Sequence, residues 1–248
     1  MTVTNLFEVL DFGTMARHNW EWAKIHFPDN EPWQPILGMM EEAGELSHSL
    51  LKMTQGIRGS KEQHLAAVRG AVADVVIYLA DFLNREYGPA VTHAGLIQHE
   101  PLEWCYDPSI PVLDVMLNVS SAIHSIGVTR KGSPMRPRGI DDLEALEFHI
   151  HAGHSLLTWL QHICFQYHFS FRITLWETWF VVKQRDWKGR PDDAHEADQR
   201  NRAQLLAQAE NDAGDVDELP PTRTCPTCRS TVAMGRKCLV CEVMACGS

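Results

Sequence analysis

A chain of 248 residues with 44% hydrophobic content can bury a sizeable core, as one large domain or one domain with an appendage. Its formal charge of −10 argues against a nucleic-acid backbone as the main partner, because that affinity comes from Lys and Arg neutralising phosphates. No apolar stretch reaches the roughly 20 residues of a membrane span, and the start MTVTNLFEVLDFG lacks the basic and apolar regions of a signal peptide. The expectation is a cytoplasmic protein without a membrane partner. Seven cysteines fit that setting, being odd in number and partly bunched in paired spacing near the C-terminus.

In chain order, residues 4–27 read as an aromatic helix closed by Pro28, Asp29 and Asn30. From Ile36 the apolar positions Met39, Met40, Ala43, Leu46, Leu50 and Met53 recur at three and four, and Gly56 and Gly59 end that helix. A second long helix over 61–87 carries Leu65, Val68, Val72, Val75, Val76, Leu79 and Leu83, and ends at Gly88 and Pro89. Residues 89–109 read as loop. Helical patterns resume over 110–127, 141–168 and 171–187, with the basic RKGSPMRPRG as an exposed connection. Over 189–220 nine acids stand against three arginines, which marks an acidic linker. The main body, residues 1–188, is therefore expected to be all-α, with its acid-bearing core at 36–87.

Within that core, GMMEEAGELSHSLLK places Glu41, Glu42 and Glu45 on adjoining helical positions, turned from the Met39, Leu46, Leu50 stripe. An EExxE alone is most often a solvated face. Here Asp74 lies beside the buried Val75 and Val76, where an acid is costly unless paired or metal-bound. Antiparallel packing through the 56–60 turn would bring Asp74 level with the glutamates, an all-oxygen cluster suited to Mg²⁺ or Mn²⁺. Lys52 points the same way toward a phosphate, Trp33 is a candidate for the nucleobase, and Arg58 and Asn84 complete the candidate substrate contacts.

EEAGEL followed by Asp74 in ADVVIYLADF resembles the MazG-type all-α nucleoside triphosphate pyrophosphohydrolases, whose pattern is EExxE followed by ExxD on two helices. WQPILGM and WFVVKQRDWKGRP also resemble segments of that family, notably of its phage-borne members. The resemblance covers roughly residues 15–190. It implies a helical bundle and divalent-metal-dependent cleavage of a ribo- or deoxyribonucleoside triphosphate to the monophosphate and pyrophosphate. Glu42, Glu45 and Asp74 match the metal ligands, and Glu41 the acid beside them that binds metal or orients water. The Glu of ExxD falls on Ala71, for which Glu41 or Asp81 would have to compensate.

VLDVMLNVSSAIHSI and HIHAGHSLLTWLQHI can be laid over the two acid-bearing helices with apolar positions in step and acids absent. Residues 110–187 thus read as a degenerate second repeat, which would make the chain an intrachain pseudo-dimer, a homodimer being the other arrangement. His149, His151, His154, His162 and His168 scatter around their helix and read as polar core or bundle-surface residues rather than as a metal site. In the final stretch, 221–248, Cys225, Cys228, Cys238 and Cys241 form two CxxC pairs with the spacing of a structural Zn²⁺ ribbon. That ribbon is a candidate for docking a protein partner. Two other readings of function stand beside the hydrolase: a nucleotide-binding regulator whose catalysis has lapsed at Ala71, and an interaction protein acting through the ribbon.

Overall fold

A computed structural model describes residues 12–92 and 107–185, together with two short strands at 222–224 and 231–233. The chain divides into two compact units, Met1–Gln199 and Arg200–Ser248, the boundary falling within the stretch read as a linker.

The first unit is helical throughout its described residues. Its long helices are α1 (Phe12–His26), α2 (Trp33–Gln55), α3 (Lys61–Tyr87), α4 (Val112–Thr129), α5 (Asp142–Gln166) and α6 (Phe171–Val182). α2 begins three residues ahead of the apolar stripe, because Pro32 and Pro35 occupy the cap and first turn, where no backbone donor is needed. The α2–α3 turn is fixed by local chemistry. Gly56 takes the left-handed C-cap conformation at φ 64°, with the Ile57 amide donating to the Lys52 carbonyl. Ser60 and Gln63 then form a reciprocal capping box at the start of α3.

α3 is the central element, packing against α1, α2, α5 and α6, and from Val68 to Asn84 most of its circumference is buried. Met39, Leu46 and Leu50 of α2 meet Val68, Val72, Val75, Val76, Leu79 and Leu83 of α3, and Trp176 and Trp179 of α6 close the same core. Polar ties cross it as well. The Asn84 amide donates to the Ala16 carbonyl at 2.9 Å, and Arg85 donates to the carbonyls of Asn30 and Phe27. The α4–α5 pair is a second helical hairpin, joined to the first through α2 and α4.

Several expectations shift. Met40 is 58% exposed rather than in the core stripe, since it sits at the edge facing α4. Residues 89–92 are helical instead of loop; residues 4–11 and 93–106 lie outside the described residues. α6 stops at Val182, where the amides of Gln184 and Arg185 bond three residues back and tighten the chain into a turn. α4 is long and apolar enough, at 18 residues and mean hydropathy 1.3, to pass for a membrane span. Val115, Val119, Ile123 and Ile126 nevertheless lie in the bundle core, as in any buried helix. His149 and His162 are buried, within the reading of polar core or bundle-surface residues, and Cys164 is a buried thiol.

In the second unit the strands, β1 (Thr222–Thr224) and β2 (Thr231–Ala233), pair antiparallel with Thr224 opposite Thr231. Cys225 and Cys228 fall between them in sequence. The four cysteine side chains lie outside the described residues.

Candidate active site

The placement of the acids rests on one close approach between α2 and α3. Gly38 faces the ring of Tyr78, and a β-carbon at position 38 would come within 2.5 Å of that ring. Only glycine lets the two helices meet there without displacing the phenol. Because the helices run antiparallel, one turn along α2 from Gly38 and one turn back along α3 from Tyr78 reach the same level. Those positions are Glu42 and Asp74. A further turn pairs the exposed Glu45 with the buried Ala71, the place where an ExxD glutamate would stand.

The electrostatics of Tyr78 report the same convergence. Burial pushes its phenol up to about 12, and the carboxylates of Glu42, Asp74 and Glu41 add to the rise. Arg185, just past the end of α6, acts in the opposite direction. One side chain therefore feels acids from both helices and a guanidinium from the end of the bundle. Glu42 and Asp74 are half-buried, and Oε2 of Glu42 is shielded from solvent, whereas Glu41 and Glu45 are exposed.

Among the described residues, no group of three or more His, Cys, Asp or Glu side chains stands as a formed metal-binding set. What the fold brings together is Glu42, Asp74 and Glu41 around Tyr78, with Glu45 one turn further out. Asp81 cannot compensate for Ala71. It is two turns beyond Asp74 and its Oδ1 accepts from Arg85 Nε at 2.9 Å, with both side chains at most 10% exposed.

The candidate substrate contacts are dispersed. Lys52 lies on α2 two turns past Glu45, half-buried, and donates to Gln55 Oε1 at 3.2 Å. Trp33, at the other end of α2, is 44% exposed. Arg58 is exposed in the turn, in a left-handed conformation at φ 61°. Asn84 is 1% exposed and holds the Ala16 carbonyl, a structural tie inside the bundle. Tyr78 and Arg185 were not singled out in the sequence, although both lie in segments carrying the resemblance. The signal for Tyr78 was its position one turn after Asp74, opposite a glycine.

Chemically, the arrangement offers hard oxygen donors, a phenol that stays protonated near neutral pH, and a nearby guanidinium. No family model, curated protein or solved structure matches the chain.

Proposed function

We propose that the helical unit is a divalent-metal-dependent nucleoside triphosphate pyrophosphohydrolase of the MazG type, with Glu42 and Asp74 at the centre of its site. The observation carrying this reading is the Tyr78 phenol, raised chiefly by burial and further by acids that two antiparallel helices bring to one level. Those acids supply only oxygen donors, and two of them are withdrawn from water, the chemistry that suits Mg²⁺ or Mn²⁺. Glu42 and Asp74 would hold the metal first, with Glu41 and Glu45 joining from the exposed side. Once bound, the ion would neutralise phosphate charge and make a water nucleophilic at neutral pH.

The protein's own groups have separate tasks. Tyr78, protonated at neutral pH, is placed to donate a hydrogen bond to a phosphate oxygen and not to act as a base. Arg185 brings positive charge to the same place, and Lys52 extends it along α2. Glu41, exposed next to Glu42, is the acid positioned to orient the attacking water. In the second unit Cys225, Cys228, Cys238 and Cys241 are proposed to hold a structural Zn²⁺, which leaves no open position for substrate.

A second reading is favoured by a specific observation: Ala71 is buried opposite Glu45, and among the described residues no three acids form a ligand set. On that reading the site binds a nucleotide without cleaving it. Pyrophosphate release from a panel of ribo- and deoxyribonucleoside triphosphates, with Mg²⁺ and with Mn²⁺, separates the two. Hydrolysis that is lost in Glu42→Gln and Asp74→Asn supports the enzyme. Nucleotide-induced thermal stabilisation with no pyrophosphate release supports the regulator.

A further inference from the structure

On the side of α2 away from the acids, a cavity of about 540 Å³ opens between α2, α4 and the loop following α4. That volume lies within the range of small-molecule sites, roughly 300–1,000 Å³. Met40, Ala43, Gly44 and Ser47 line it from α2, at the i, i+3, i+4 and i+7 spacing of one helical stripe, separate from the Gly38, Glu42, Glu45 stripe. Two glycines make the space. A β-carbon at Gly44 would meet nothing within 4 Å, and one at Gly127 would touch only Ile36, at 3.5 Å.

The wall opposite α2 is built rather than loose. Arg136 donates to the carbonyls of Ile140 and Asp141 at 3.0 and 2.7 Å, and the Lys131 amide donates to Glu86 at 2.7 Å. These bonds hold the loop that carries Ser133, Pro134 and Met135 to the cavity. The lining has a definite chemistry. Met40 and Met135 are large apolar groups at its mouth, 58% and 66% exposed, while Ser47, Ser120 and Ser133 offer hydroxyls. Arg130 and His124 are the groups able to carry positive charge, and no acid lines the cavity. Among the described residues Arg130 forms no ion pair; its guanidinium donates only to the Lys131 carbonyl, at 3.3 Å.

We propose that this cavity is a second ligand site, separate from the carboxylates, for a small amphipathic anion: an apolar ring seated between Met40 and Met135, its anionic group on Arg130. An apolar majority of wall with one cation and several hydroxyls selects a hydrophobic body with a single charged end. A free triphosphate is a poor occupant, since one guanidinium cannot balance its charge.

The test uses the full chain and 8-anilinonaphthalene-1-sulfonate, an aromatic anion that fluoresces on leaving water. Methionines carrying ¹³C-methyl groups report its location. One probe should bind, shifting the Met40 and Met135 methyl signals, assigned by Met→Leu variants. Gly44→Leu fills the cavity from an exposed helical position with room for the side chain, and should weaken binding at least tenfold. Arg130→Gln should weaken the anionic probe about tenfold and leave the neutral N-phenyl-1-naphthylamine unchanged. Displacement by an aryl carboxylate or by a nucleoside monophosphate then names the source of the anion; displacement by neither at millimolar concentration overturns the small-molecule reading. Unaltered binding to Gly44→Leu, or shifts confined to other methionines, overturns the site. Unaltered anion binding to Arg130→Gln overturns the charge assignment.

Discussion

Lowering the pH should destabilise the bundle through His149, whose surroundings disfavour its charged form. His149 of α5 is fully buried between the ends of α3 and α4. The Tyr87 hydroxyl donates to its Nδ1 at 2.6 Å, and its Nε2 lies 2.7 Å from Thr129 Oγ1. Thr129 gives its own proton to the Ser125 carbonyl at 2.7 Å, so it accepts from Nε2–H. The neutral imidazole thus satisfies every partner, and a second ring proton would point at a hydroxyl already donating inward. Burial is the main cause that pulls His149 down to about 4, with Arg136 contributing and the Ile126 carbonyl opposing. Because the folded value lies below the unfolded one, the unfolded chain binds the extra proton. The stability is present in full above about pH 6.5 and is lost as pH falls toward 4. Between pH 7.5 and 4.5 the loss from this one group is about 2–3 kcal/mol. Urea unfolding across that range should show wild type losing this much more than His149→Gln, which cannot titrate. The variant itself should be less stable at pH 7.5 by about 1–3 kcal/mol, because Tyr87 and Thr129 lose a partner. Parallel pH profiles for the two proteins would refute the reasoning, since every other titrating group is common to both.

On the function proposed above, Glu42→Gln and Asp74→Asn should each cut hydrolysis by about a hundredfold or more while helical circular dichroism is kept. Glu42→Gln should also lower the Tyr78 phenol from about 12, read as an earlier tyrosinate absorbance step, because it removes the largest charge contribution to that rise. Asp81→Ala should cost about 3 kcal/mol in a urea melt, as Arg85 would be left buried without its carboxylate. Ala71→Glu puts a carboxylate at a 2% exposed position level with Glu45. Without metal it should lower the melting temperature, and with Mg²⁺ it should raise the rate at low metal concentration; a loss of activity at all metal concentrations would mean that another acid already fills the place.

The sequence by itself determined the helices and the turn that joins the acid-bearing pair. Gly56, Ser60 and Gln63 act within a few residues of themselves, so their capping chemistry can be read without the fold, and the second long helix falls at 61–87 as read. The placement of Asp74 beside buried valines, and with it the expectation of an acid meeting α2, was legible in the same way, from period and spacing. Tertiary structure alone decided what surrounds those acids. The Gly38–Tyr78 contact sets the depth at which the helices meet and brings Glu42 to Tyr78, and the packing of the bundle brings the charge of Arg185, distant in the chain, to bear on the same phenol. It also decided that Asp81 is held by Arg85 and that Asn84 is buried against Ala16. The α2–α4 cavity was hidden for the same reason. Helical period depends on neighbours three or four residues away, whereas the depth of a contact, the partner of a buried charge and the shape of a void depend on side chains brought together only when separate helices pack.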